Sequence, residues 1–157
     1  MAKFFRRGHT QVWYVAAIAA PAVPTIAVLN AGTQLTASIG DMEGWSFANE
    51  PIDTPSLDSP WVSKIPGPDA AEDSALVFYE DDTTNTLRTT LAKGTDGFIV
   101  IKSNGSGVAA LIATDIVDVF KVEVSATPRA YSLGNEAATW KAQFTITDPP
   151  NIDVATV

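Results

Sequence analysis

At 157 residues with no cysteine, the chain has the size of one domain and can bury roughly 70% of the surface its unfolded form exposes; disulfides, thiol catalysis and thiolate zinc sites are excluded. A formal charge of −8 argues against a nucleic-acid grip, which needs clustered Lys and Arg. The charge is uneven: residues 1–40 hold Lys3, Arg6 and Arg7 and no acid, whereas residues 41–82 hold eleven acids against the single base Lys64. A basic arm docking on the acidic belt of a neighbouring copy is one reading, and a solvated acidic loop is the other.

The first twenty-four residues admit two readings. Lys3-Phe4-Phe5-Arg6-Arg7 followed by the apolar run Val12–Ala20, with Ala17-Ile18-Ala19 resembling a small-residue cleavage site, has the form of a secretory signal. Arg6-Arg7 even imitates a twin-arginine signal. Against it, Gly8-His9-Thr10-Gln11 interrupts the passage from charge to apolar run, and the run includes Trp13 and Tyr14. It is too short to span a bilayer. The alternative is a flexible arm, residues 1–10, leading into a strand over Gln11–Ile18.

A Pro-punctuated connection follows, with a helical turn expected over Thr25–Asn30 and Gly32 as its stop. Gln34–Ile39 reads as a strand and Gly40-Asp41 as a turn. Trp45 and Phe47 alternate with Ser46 and Ala48 as a half-buried strand. Residues 49–73 are acidic and punctuated by Pro51, Pro55, Pro60, Pro66 and Pro68, so a central strand is disfavoured. A loop of that length in a compact domain is functional or disordered. Trp61, Val62 and Ile65 supply apolar anchors that a disordered linker would not need, and point to a loop that docks.

Ala75–Tyr79 is a short apolar strand. A helix is expected over about 83–93, with Asp82 or Asp81 as its N-cap, Leu87 and Leu91 on one face, Lys93 in the last turn and Gly94 as the left-handed stop. Phe98–Ile101 is apolar on both faces and expected to be covered on both. After the turn Ser103–Gly107, the run Val108–Val117 is ambiguous. Ile116, Phe120, Val122, Val124 and Ala126 line one face of a long strand, with Asp118 a misfit. Ala138–Thr147 alternates most cleanly, and Pro149-Pro150 ends it, leaving a tail over 149–157. The expected fold is mainly β, two packed antiparallel sheets in a sandwich or barrel-like arrangement with one flanking helix.

Signals for catalysis are weak. His9 is a lone histidine in a basic arm, without the scaffold that a Ser-His-Asp site requires. The carboxylate pairs Asp41/Glu43, Glu72/Asp73 and Asp81/Asp82 lack the alternation and central glycine of a calcium loop. Gly105-Ser106-Gly107 lacks the lysine and following helix of a phosphate cradle. Asn104-Gly105-Ser106 fits a glycosylation sequon as well as a Gly-rich turn. Trp45 and Trp140 fall on core faces. No catalytic residue, cofactor or metal ligand is assigned, and assembly is favoured over catalysis.

The opening Met-Ala-Lys-Phe-Phe-Arg-Arg-Gly, the segments Leu29–Thr33, Trp45–Asn49, Ile52–Pro55 and Ser63–Gly67, Glu72-Asp73-Ser74 leading to Phe78–Asp82, and Gly134–Ala138 together resemble the major tail (tail tube) proteins of long-tailed, siphovirus-type bacteriophages, especially those of actinobacterial hosts. The likeness rests on the order and spacing of these segments over nearly the whole chain. Some relatives carry an extra immunoglobulin-like domain for which this chain has no room, and Val108–Val117 does not share in the resemblance.

The resemblance implies one tail tube domain over 1–157, a β-sandwich-like fold with a flanking helix, and hexameric rings stacked into a hollow tube that conducts DNA during ejection without binding it. It implies no enzyme activity. It also implies partners: other copies of itself, and the tape measure, tail terminator and tail tip proteins. The place would be the virion, after synthesis in the host cytoplasm. Lys3, Phe4, Phe5, Arg6 and Arg7 then read as an assembly arm, with Trp61, Lys64 and Ile65 as loop contacts. The competing expectation is a secreted β-sandwich binding module with a cleaved signal, and a hydrolase is a distant third.

Overall fold

Gln11-Val12-Trp13-Tyr14-Val15 is buried at every position, as a strand covered on both faces requires. This is β1 of a computed structural model that describes residues 3–157. The chain continues through α1 (Ile26–Asn30), β2 (Thr33–Gln34), a 3-10 turn (Thr36–Ser38) and β3 (Ile39–Glu43). Four short strands follow, β4 (Phe47–Asn49), β5 (Ile52–Thr54), β6 (Ser63–Ile65) and β7 (Asp69–Ala71), then β8 (Ser74–Tyr79) and α2 (Thr86–Thr90). The remainder is β9 (Asp96–Lys102), β10 (Ile116–Ala126), β11 (Arg129–Ala130), β12 (Thr139–Ile146) and β13 (Asn151–Ala155).

The mainly β, antiparallel expectation is met. Nine strands form one sheet in the order β2-β1-β9-β10-β12-β8-β3, with β11 added to β12 and β13 to β10. The sheet curls until its two ends are joined by the 3-10 turn, where Leu35 N–H donates to the Val12 carbonyl (2.9 Å) and Val12 N–H to Thr36 Oγ1 (3.0 Å). Among the described residues no strand pairing closes the gap between β1 and β3, so the barrel-like curl stays open.

Alternation along the strands sorts the apolar residues into two cores. The inner face collects Val12, Tyr14, Phe78, Ile99, Phe120, Val122, Trp140 and Phe144. The outer face collects Trp13, Val15, Phe98, Val100, Val117 and Val119, and is covered by Ile18, Leu29 of α1 and Leu111. In β10 this corrects the single-face assignment. Ile116 is exposed, and the strand's first half instead buries Val117 and Val119 on the opposite side.

The helix expected over 83–93 shortens to Thr86–Thr90, and a second short helix, α1, stands where a helical turn is predicted. The cause lies at Asp81. Its carboxylate accepts the N–H groups of Thr83 (2.9 Å) and Thr84 (3.3 Å) and both their hydroxyls. It therefore closes a local turn ahead of the helix, the competition with helix that short polar side chains introduce. Leu87 and Leu91 do share a face, with Leu91 fully buried, and Gly94 is left-handed (φ +83°). Gly40 and Asp41 lie within β3, at a bulge against β8, and not in a turn.

Those same hydrogen bonds hold the Asp81 carboxyl down to about 2. A lowered carboxyl stabilises the turn above the ordinary carboxylate range and releases it only as pH falls through about 2. An NMR titration of Asp81 should give that low midpoint, and Thr83→Ala should raise it. Leu91→Ala should cost roughly 2–5 kcal/mol in denaturant unfolding, as expected for emptying a closed apolar site.

Candidate functional site

The irregular loop expected over 49–73 is a long β-ribbon. It is rooted at Gly44 and Trp45, both left-handed (φ +73° and +64°). A Cβ at Gly44 would lie 2.3 Å from the Asp73 carbonyl oxygen, so only glycine fits that crossing. Trp45 adopts the same backbone region at a steric cost and is held by four contacts. Its backbone N–H donates to Ser74 Oγ (3.1 Å), its indole N–H to the Ala75 carbonyl (3.1 Å), and its ring meets Phe120 edge-on at 5.3 Å. A tilted contact with Phe144 at 5.5 Å completes the seat.

Beyond this root the ribbon is built in two rungs. Phe47↔Ala71, Ala48↔Ala70 and Asn49↔Asp69 form the first, and Ile52↔Ile65, Asp53↔Lys64 and Thr54↔Ser63 the second. Pro51 faces the break on one side and Pro66 and Pro68 on the other, where the missing N–H groups cost no ladder bond. The Asn49 side chain spans the break, donating to the Gly67 carbonyl (2.6 Å) and accepting the Gly67 N–H (3.1 Å). A Cβ at Gly67 would come within 1.9 Å of the Glu50 oxygen, so this pinch also demands glycine.

No residue from Ser46 to Asp73 is buried. Trp61 is 77% exposed, and Ile52, Leu57, Val62 and Ile65 are exposed with it. Such a concentration of apolar side chains in solvent is uncommon on a monomer. Lys64 bridges to Asp53 across the second rung at 3.0 Å with both partners well exposed, a pair worth little to stability. The ribbon holds six acids against that one lysine.

The arm is ordered where it meets the body. His9 and Thr10 N–H groups donate to the Arg6 carbonyl, and the resulting turn is stitched to 103–107. Gly105 N–H donates to the His9 carbonyl (2.6 Å), Gly107 N–H to Gly8 (3.0 Å), and Arg6 Nη1 to Ser103 Oγ (3.4 Å). Phe4 and Phe5 are exposed and meet the His9 ring edge-on. Arg6 and Arg7 border a groove of about 430 Å³ beside Thr36, Ile39, Asp41 and Tyr79. Met1 and Ala2, the first residues of the expected arm, lie outside the described residues.

The eight residues singled out from sequence therefore fall in two places. Lys3, Phe4, Phe5, Arg6 and Arg7 lie on the arm, and Trp61, Lys64 and Ile65 on the ribbon. No hydrogen bond or ion pair joins the two groups among the described residues. Sequence reasoning missed Leu57, for which an apolar residue between Pro55 and Pro60 was the available signal, and the root formed by Gly44 and Trp45. The tail over 149–157 contributes β13 to the body's own sheet. Among the described residues no cluster of His, Asp or Glu could hold a metal ion, and no helix is long and apolar enough to cross a membrane.

A sequence model of the family described as "Phage tail tube protein" matches residues 1–157. The chain belongs to the phage tail tube protein family. It is thus a structural protein of the phage tail, a virion component that assembles with its own kind and with other tail proteins. Its fold is similar to a chain in the cryo-EM structure of the anti-feeding prophage baseplate, 6-fold symmetrised (TM-score 0.61, 9% identity, 94% of this chain and 95% of that chain covered). A chain in the virion of a native gene transfer agent particle is also similar (TM-score 0.50, 13% identity, 81% and 90% covered). No curated protein sequence matches the chain.

The seat of Trp45 generates a direct test. Trp45→Ala should cost about 3 kcal/mol, the lower end for removing a packed aromatic. It should also raise hydrogen exchange across 46–73 relative to the body, because the ribbon loses its root.

Proposed function

We propose that this chain is the repeating unit of the tail tube: one domain over 1–157 that closes into six-membered rings, stacked into a conduit through which DNA passes during ejection. The observation that carries the reading is the ribbon over 46–73, fixed rigidly at Trp45 yet without one buried residue beyond it. An isolated two-stranded ribbon is marginal in water, so a ribbon that exposes Trp61, Leu57 and Ile65 is accounted for by burial against another copy. The family match supports the tube, and the 6-fold symmetrisation of the similar baseplate structure supports the ring number. Lys3–Arg7 act as an assembly arm, with Trp61, Lys64 and Ile65 as ribbon contacts.

The reading assigns no chemistry to the chain. Its charge of −8 suits a wall that DNA must slide past, since basic walls would retain a polyanion and acids repel it over about 8 Å at physiological salt. Tape measure, terminator and tip proteins are the expected neighbours along the tail, and the subunit is made in the host cytoplasm before joining the virion.

Negative-stain microscopy of concentrated protein should show rings or tubes. Replacing residues 55–62 by a short Gly-containing turn should leave a folded monomer that does not polymerise. Wild-type protein that stays monomeric at every concentration and salt, or tubes formed without the ribbon tip, would contradict the reading. Arg6→Glu with Arg7→Glu should likewise block tubes while preserving the melting temperature, as expected when a basic arm meets an acidic neighbour.

A further inference from the structure

The outer core is roofed by three segments that lie far apart in sequence and are tied directly to one another. Asn30 of α1 exchanges two hydrogen bonds with the backbone of Leu111 (2.9 and 3.0 Å). Thr156 donates its hydroxyl to the Ile112 carbonyl (2.8 Å) and accepts Thr114 N–H on its own carbonyl (3.0 Å). Val157 N–H donates to Pro24, and Ile26 N–H to Val157. One continuous surface results, made of α1 with its approach, the 103–114 loop and the last residues.

That surface carries no charged side chain. Residues 8–40 contain no Asp, Glu, Lys or Arg, nor do 103–114 or 154–157. At its margin Lys102 and Asp115 pair at 2.7 Å, with only 14% and 13% of their side chains exposed, and Asp118 and Asp153 lie beyond them in the groove beside Ser103 and Thr114. Among uncharged polar residues such as Asn30, Ser106 and Thr114 it exposes apolar side chains: Val108 is 62% and Ile112 66% exposed, and Val23, Val28 and Val157 are exposed with them. The basic turn of the arm borders it, because Gly8 and Arg6 bond to Gly107 and Ser103 at the loop's start.

We propose that this neutral face is the seat for the ribbon of a second copy. The inference rests on the self-assembly proposed above and names its receptor. Copies that each carry −8 repel, and the repulsion is least over segments that themselves bring no acidic side chain. The ribbon brings apolar Ile52, Leu57, Trp61 and Ile65 together with six acids. Its apolar residues match the exposed valines and Ile112 of an uncharged seat, and its acids match Arg6 on the rim. Seat and ribbon are different surfaces, so the contact is heterologous and propagates from copy to copy.

Opposite charges placed at one seat position test this. Val108→Asp should raise the concentration needed for polymerisation by about tenfold, whereas Val108→Lys, facing an acidic ribbon, should change it by less than about threefold. Both should keep the wild-type melting temperature, since Val108 is solvent-facing. In parallel, Ile112→p-benzoylphenylalanine irradiated in a mixture of 14N- and 15N-labelled protein should cross-link to a peptide within 46–73 of the other copy. An Asp variant that polymerises normally, equal defects from Asp and Lys, or cross-links that return to the neutral face would each overturn the proposal while leaving the tube intact. Wild-type protein that fails to polymerise would contradict the tube and this seat together.

Discussion

Strand β10 is hydrogen-bonded along both edges, and the rest of the molecule depends on that arrangement. β9 pairs with it over Asp118–Glu123 on one side, while β13 and then β12 share the other. Its side chains divide between the cores, Val117 and Val119 outward, Phe120, Val122 and Val124 inward. A slip of one residue would exchange the two sets and expose both. Phe120 also supplies the surface on which Trp45 rests, so the root of the ribbon is set by the same strand. The closing segment pairs with the start of β10, and this brings Thr156 to the 112–115 loop.

A rigid body with a projecting ribbon is a sensible division of labour for a building block. The body pairs the backbone of its central strands internally and leaves edges at β2, β3, β11 and β13. The ribbon cannot bury its own apolar residues, since β4–β7 and β5–β6 are each only two strands wide. An exposed apolar ribbon is an aggregation hazard in a monomer. In a polymer the same feature directs association, provided that a complementary seat recurs on every copy. The prolines confine pairing to short rungs, which limits uncontrolled strand addition.

Much of the sheet was legible in the sequence because its strands alternate. Trp140, Ala142 and Phe144 of β12 are buried as their spacing implies, and Phe98–Ile101 is covered on both faces. The ribbon was not legible as a ribbon, because proline density argues against strands locally while its pairing joins residues up to 24 apart, as in Phe47↔Ala71. What was readable was the set of apolar side chains it carries, Trp61, Val62 and Ile65 standing among acids, and all three are exposed on the ribbon. Trp45 gave no hint of its left-handed backbone, since alternation with Phe47 resembles an ordinary strand. Beyond Pro149-Pro150, β13 was missed because its partner lies thirty or more residues upstream, as in Ile116↔Ala155. The shortened α2 follows from Asp81 serving Thr83 and Thr84 before any helix begins.

The resemblance of ordered segments to tail tube proteins and the family match over 1–157 converge on a tail component, and the chain in the baseplate particle shares its fold. The central claim is that the ribbon over 46–73 lies between copies. A cryo-EM map of assembled particles measures its position directly. The account predicts density for the ribbon packed against a different subunit, with Trp61 buried there. Ribbons left in solvent, or folded back onto their own body, would contradict it.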